Sequence, residues 1–327
     1  MIKYIGTFDF LGRQILGYWI IPAAIVAFAL FAILATSTVC FFKIFFSFGK
    51  KRKLKEDRPI PKGEAYEVYR DDMIRWVDSA RALPRRELSI VSRDGLRLYG
   101  TYYEKEKGAP IEILFHGYKG TALRDLSGGI YRCHRLGHNV LVVDHRASGK
   151  SEGRVITFGV KECLDCLDWI DLVIKEIDKD AKIIIGGISM GAATVMTASG
   201  EPLPQNVVGV VADCGYTSAE AIVKKVMKDL KLPPDLLYPF ARLGAILFGH
   251  FDPDKRSPID AMTRCTLPII FFHGDVDGYV PCYMSEQNFN ACISQKKRLV
   301  IVKGADHGLC LPADVDGYIR ELEDFFG

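Results

Sequence analysis

Six short runs of β-branched and aromatic residues, each followed by a helical stretch, constrain this 327-residue chain most. They are residues 111–115, 139–143, 182–186, 207–212, 268–272 and 298–302. Little polar alternation breaks them, so each must be covered on both faces. The helical candidates between them are residues 124–135, 160–178, 190–199, 282–294 and finally 313–326. Strands alternating with helices imply a mostly parallel sheet with helices on both faces. Ahead of this pattern, residues 87–92 and 96–103 flank Arg93-Asp94-Gly95, a hairpin signal that adds antiparallel strands at one edge. With 49% hydrophobic residues, the chain can bury the core of one domain of about 240 residues and carry an appendage.

One connection is too long for a simple crossover. Residues 217–262 read as two helices broken by Pro233-Pro234, the second carrying Leu236, Leu237, Phe240, Leu243, Ile246 and Leu247. This apolar pair is expected to form a small helical cap over a pocket, since it precedes the segment holding the candidate acid.

The appendage is N-terminal. No charged residue lies between Arg13 and Lys43, and residues 15–42 are almost wholly apolar, with Tyr18 and Trp19 near one end. A bilayer core needs about 20 helical residues, and aromatic residues suit its interface. The run exceeds the roughly 7–15 residues of a signal-peptide core. Residues 1–48 are therefore expected to be a single-pass membrane anchor. Lys3 and Arg13 precede the span; Lys43, Lys50, Lys51, Arg52, Lys53, Lys55 and Arg58 follow it. The positive-inside rule then puts the large C-terminal domain in the cytoplasm. Nine scattered cysteines, an odd number with no short disulfide framework, agree with a reducing compartment. Residues 49–85 read as a basic, Pro-punctuated linker and an amphipathic helix over 64–82, and residues 86–327 as the main domain. The net charge of +3 is small and its basic excess local, which argues against a nucleic-acid partner.

The chemistry is carried by three loops. Gly187-Ile188-Ser189-Met190-Gly191 sits between an apolar strand and a small-residue helix, where a sharp turn can present a serine nucleophile. A serine hydroxyl needs a base to take its proton and a carboxylate to orient that base. In such sheets functional groups gather at the carboxyl ends of strands. His307 follows the last strand on the Gly-flanked loop Gly304-Ala305-Asp306-His307-Gly308. Asp275 and Asp277 follow the strand before it, and Asp213 an earlier one; residue chemistry does not separate Asp275 from Asp277. Asp306 adjoins the histidine too closely to turn toward its ring. The oxyanion would be held by the backbone N–H of Met190 and by that of Tyr118, on the loop Phe115-His116-Gly117-Tyr118, where Gly117 permits close approach. His116 reads as structural. Such chemistry requires no metal and no cofactor. Cys163 and Cys166 lack a second pair for a metal site. Gly149-Lys150-Ser151 lacks the glycine a phosphate loop needs at 144, where Asp144 stands.

Five segments together resemble the α/β-hydrolase superfamily over residues 86–326. They are His116-Gly117-Tyr118, Asp144–Ser151, Gly187–Gly191, His273-Gly274 through Asp277 to Pro281, and His307-Gly308. The chain is most similar to its serine-aminopeptidase-like and monoglyceride-lipase-like branch of bacterial membrane-anchored proteins. The resemblance implies an α/β-hydrolase fold and selects Asp277 as the acid. Ala147 stands where relatives carry glycine, in a turn that is structural. The implied activity is a serine hydrolase acting on a carboxylic ester, with a lipophilic acyl substrate or a lipid as small-molecule partner. Peptidase, thioesterase and acyltransferase chemistry share this machinery, and a non-catalytic binding protein on the same fold is the alternative of another class.

Overall fold

A computed structural model describes residues 5–47 and 59–327, with side chains from Ile20 onward. The basic run Lys50–Lys55, together with Lys3, lies outside the described residues, as do the side chains of Arg13, Tyr18 and Trp19.

Eight strands form one sheet: β1 (Arg86–Val91), β2 (Arg97–Tyr103), β3 (Ile111–Phe115), β4 (Asn139–Val143), β5 (Ile183–Ile188), β6 (Val207–Asp213), β7 (Ile269–Gly274) and β8 (Lys297–Val302). Their order is β1-β2-β4-β3-β5-β6-β7-β8. The opening hairpin is antiparallel and β2 pairs antiparallel with β4; every later pairing is parallel. Phe115 pairs with Gly187, Asp213 with Phe272, and Gly274 with Val302. Register therefore brings the carboxyl ends of β3, β5, β6, β7 and β8 to one rim.

The two faces are packed as their apolar composition demands. Ile113, Phe115, Ile185 and Phe271 join Trp169 and Ile170 of the helix Glu162–Leu172 on one side. Leu114, Val140 and Val142 meet Ile130 and Cys133 of the helix Ala122–Arg135 on the other. Beside them Ile184, Val211 and Phe272 meet Tyr318 and Leu322 of the C-terminal helix Val315–Phe326. Glu112 breaks the apolar run of β3 and is buried. Arg132 donates to both its oxygens at 3.0 and 2.7 Å. Both partners are taken up, so the pair is tolerated inside the fold.

The N-terminal helix runs from Ile5 to Ile44, and Ile20–Ile44 is long and apolar enough to cross a membrane. Its middle is bare: Ile21, Phe28 and Phe31 are about two-thirds exposed. Its last turns are not. Ser37, Phe41 and Phe45 are buried against the helix Pro234–Gly249, where a Cβ on Gly244 would lie 2.3 Å from the Ser37 carbonyl oxygen. The chain then bridges Phe46 to Val155.

One expectation changes here. Residues 217–262 do form helices, Ala219–Asp229, Pro234–Gly249 and the short Pro258–Met262. Among the described residues, however, none of them lines the cavity at the serine, and the second helix instead receives the end of the N-terminal helix. Residues 61–76 take the covering position. The helix Arg70–Ala82, expected ahead of the main domain, packs directly onto it: Trp76 stacks on Tyr131 at 5.9 Å and buries over Gly128.

Candidate active site

Ser189 sits at the turn between β5 and the helix Met190–Ala198 with φ 57° and ψ −116°, a conformation that costs a non-glycine residue energy. The flanking glycines make it feasible. A Cβ on Gly187 would lie 2.2 Å from the Gly191 carbonyl carbon, and one on Gly191 would lie 2.0 Å from the Phe115 oxygen. Only glycine fits either place, so the serine is held out at the rim.

The last loop brings His307 to it. Ser189 Oγ donates to His307 Nε2 at 2.9 Å, and His307 Nδ1 donates to Asp277 Oδ2 at 2.8 Å. An ionised carboxylate only accepts, which assigns the proton to Nδ1 and leaves Nε2 free to take the serine's. Asp277 is held in turn by the N–H groups of Tyr279 and Val280 on Oδ1, at 2.9 and 2.8 Å. Burial pushes its carboxyl up, but hydrogen bonds from His273 and His307 outweigh it and bring the pKa down to about 2.

The rival aspartates fall elsewhere. Asp275 accepts from the Gly304 N–H at 2.6 Å, Asp306 from those of Gly278 and His307 at 3.0 and 2.7 Å. Both knit the acid loop to the histidine loop. Asp213 is buried beside the serine, its backbone oxygen accepting from Ser189 N–H at 2.8 Å. Burial raises its carboxyl's pKa.

The loop that carries Gly117 and Tyr118 lies beside the serine. A Cβ on Gly117 would be 3.5 Å from Ser189 Cβ. Among the described residues the N–H groups of Tyr118 and Met190 have no acceptor. His116 is structural: its Nε2 accepts from His145 N–H at 3.0 Å and its Nδ1 donates to Gly117 O at 2.7 Å. A cavity of about 640 Å³ opens on these groups, with Met73, Trp76, Leu114, Leu126, Val211 and Leu311 among its walls. That is the size range of small-molecule sites. Cys214, Asp277 and His307 could in principle share a cation. Asp277 and His307 are already engaged by hydrogen bonds, though, and burial pushes the Cys214 thiol well up, away from the ligating thiolate.

Two contributors were not legible. His273 supports the acid from four residues upstream, its Nε2 3.3 Å from Asp277 Oδ2, while Ser285 donates to its Nδ1 at 2.6 Å. The i, i+4 spacing was the available signal. Tyr66 donates to the His307 carbonyl at 2.9 Å across 241 positions, and no local pattern announces it.

A parallel sheet with an antiparallel first hairpin, and a serine on the tight turn after β5, is the architecture of an α/β-hydrolase. Similarity to known proteins agrees. The family model described as "alpha/beta hydrolase fold" matches residues 113–248. The uncharacterized protein YqkD of Bacillus subtilis is 25% identical over 253 residues, 76% of this chain and 81% of that one. The mouse mitochondrial palmitoyl-protein thioesterase ABHD10 is 21% identical over 271 residues, 76% of this chain and 85% of that one. Among solved structures, the Pyrococcus furiosus esterase Pf2001 superposes with a TM-score of 0.62 at 20% identity, covering 82% of this chain and 96% of that one. The chain has the α/β-hydrolase fold and is similar in sequence to proteins of that superfamily.

Proposed function

We propose that this α/β-hydrolase is a membrane-tethered serine hydrolase that cleaves a lipophilic carboxylic ester through an acyl-enzyme. The observation that carries this reading is the continuous relay from Ser189 Oγ through His307 to Asp277, at 2.9 and 2.8 Å.

Ser189 Oγ attacks the ester carbonyl carbon as His307 Nε2 takes its proton. Asp277 orients the imidazole and stabilises its charged form. The N–H groups of Tyr118 and Met190 donate to the oxyanion. The tetrahedral intermediate collapses, the carbon–oxygen bond to the alcohol breaks, and His307 gives that alcohol its proton. Water then attacks the acyl-serine with His307 again as base, releasing the acid and restoring the serine. No step calls on a metal or cofactor.

The apolar cavity walls support a lipophilic acyl group, and the bare apolar stretch at Ile20–Leu34 supports a bilayer as partner. The cation count on either side favours a cytoplasmic domain. A thioester is the second reading, favoured by the likeness to a palmitoyl-protein thioesterase.

A fluorophosphonate should label Ser189, and Ser189→Ala should lose both labelling and roughly 10⁶ of turnover. An unlabelled wild-type protein would instead indicate an idle hydrolase fold. Comparing p-nitrophenyl esters of increasing chain length with acyl thioesters and aminoacyl anilides separates ester, thioester and peptide specificity. Faster anilide cleavage would sink the ester assignment.

A further inference from the structure

Two tyrosine hydroxyls reach out of the catalytic loops, or into them, from the segment that precedes the sheet. The N-terminal helix ends at Ile44, whose carbonyl, in the last turn, has no intrahelical N–H to accept from. Tyr118 Oη donates to that carbonyl at 2.6 Å. The Tyr118 ring packs 5.2 Å from Phe158, and Phe158 meets Phe45 edge-on at 5.5 Å. On the other side of the rim, Tyr66 Oη donates to the His307 carbonyl at 2.9 Å. Asp306 Oδ1 holds the N–H of that same histidine, so its main chain is gripped at both ends.

We infer that Tyr118 and Tyr66 are positioning residues. Their hydroxyls fasten the loop of the oxyanion donor and the loop of the base to the chain N-terminal of the hydrolase sheet. The inference rests on the serine-hydrolase reading above and adds to it a working role for the last turn of the N-terminal helix. Tyr118 carries both ends of the linkage. Its side chain is fixed by Ile44, and its backbone N–H is the group that must meet the oxyanion. No strand or helix holds it; the next residue, Lys119, is left-handed at φ 53°. The base loop likewise lies outside any strand or helix, with Gly308 at φ 71° directly after His307, and is held by side-chain bonds from Tyr66, Asp306 and Asp275. Catalytic groups have to be held to about 0.5 Å to be productive, and loops gain that only from outside contacts.

Stability depends on these bonds far less than position does. Both tyrosines are partly exposed and line the cavity, so water can replace a lost hydroxyl without leaving a buried group unsatisfied. The two roles can therefore be told apart by experiment.

The test uses full-length protein in detergent, with kcat expressed per fluorophosphonate-titrated site and Ser189→Ala as reference. Deleting an oxyanion donor typically costs 10²–10³ in turnover. Tyr118→Phe keeps the N–H and only loosens it, so kcat should fall about tenfold with KM within about twofold. Tyr66→Phe should lower kcat to a similar extent. The double variant should lose roughly 100-fold, since the loops are separate and such effects multiply. Melting temperatures should stay close to wild type; if one variant melts lower, the other carries the test, assayed well below its transition. Deleting residues 1–19, which spares the docked turns, should leave kcat unchanged. If both single variants keep kcat within twofold while Ser189→Ala is dead, the positioning role is wrong and the hydrolase reading stands. An active Ser189→Ala would remove the reading itself.

Discussion

Two buried carboxylates in this protein carry the same electrostatic signature and do different things. Asp277 at the rim and Glu112 in the middle of β3 are both resisted by burial, and both have their pKa brought down to about 2 by the groups around them. Around Glu112 the chain of interactions is closed. Arg132 grips both oxygens and His138 lies 2.8 Å from one of them. Around Asp277 the chain is open: His307 gives it one nitrogen and turns the other to a serine hydroxyl. A displaced pKa thus marks a buried charge that is well paired. What sets the proposed catalytic acid apart is a partner with a hand left over, at the carboxyl end of the sheet.

The sharpest test of this contrast is Asp277→Asn. It keeps the shape but spoils the tautomer of His307, so kcat should fall by about 10⁴ while the thermal transition moves little. A loss below tenfold would mean that the aspartate is only a structural partner, like Glu112. Arg132→Leu should do the reverse. Leaving Glu112 buried without its main partner should cost about 3–5 kcal/mol in urea unfolding, with kcat per folded molecule unchanged.

Acid should affect both carboxylates alike. Each has a folded pKa of about 2, below the ordinary 3.8 of Asp and 4.5 of Glu. Their contribution is fully present above those ordinary values and is lost as pH falls through about 2. Melting temperature measured from pH 6 to pH 2 should decline below about 4.5, less steeply in Asp277→Asn. An identical slope in that variant would show that Asp277 is not held low in the folded state.

The smallest effect concerns strain. Ser189 and Ala147 are both non-glycine residues with positive φ, at 57° and 63°, but only the serine's side chain is engaged, by His307, and is the proposed nucleophile. Left-handed backbone costs an ordinary residue about 1–2 kcal/mol, and glycine gives back about 0.5–1 in chain entropy. Ala147→Gly should therefore stabilise by roughly 0.5–1 kcal/mol without altering turnover, read from the shift in urea midpoint.

Legibility followed burial and distance. β3 and β4 were readable residue for residue because every position in them is buried, so that apart from Glu112 and Asn139 both runs are apolar from end to end. The helix expected over 64–82 is instead broken after Glu67, at exposed Val68 and half-buried Tyr69. The one expected over 160–178 ends in a π turn at Val173–Ile177. Periodicity alone registers neither departure. Ser189 and His307 were marked by their own glycines. Asp275 and Asp277 were not separable from residue chemistry, because what distinguishes them is Gly304 for one and His307 for the other, about thirty positions away. The misassigned lid has the same cause. Residues 217–262 and 61–76 both contain helices with an apolar face, and only the folded chain decides which of them lies over the serine.

The burial of Phe41 and Phe45 also has a practical side. A truncation beginning at the sheet would strip the cover from the cavity and bare Phe158 and Phe251, inviting aggregation. A soluble version should instead begin just before Ser37, keeping the final turns of the helix as if they were the first turns of the enzyme.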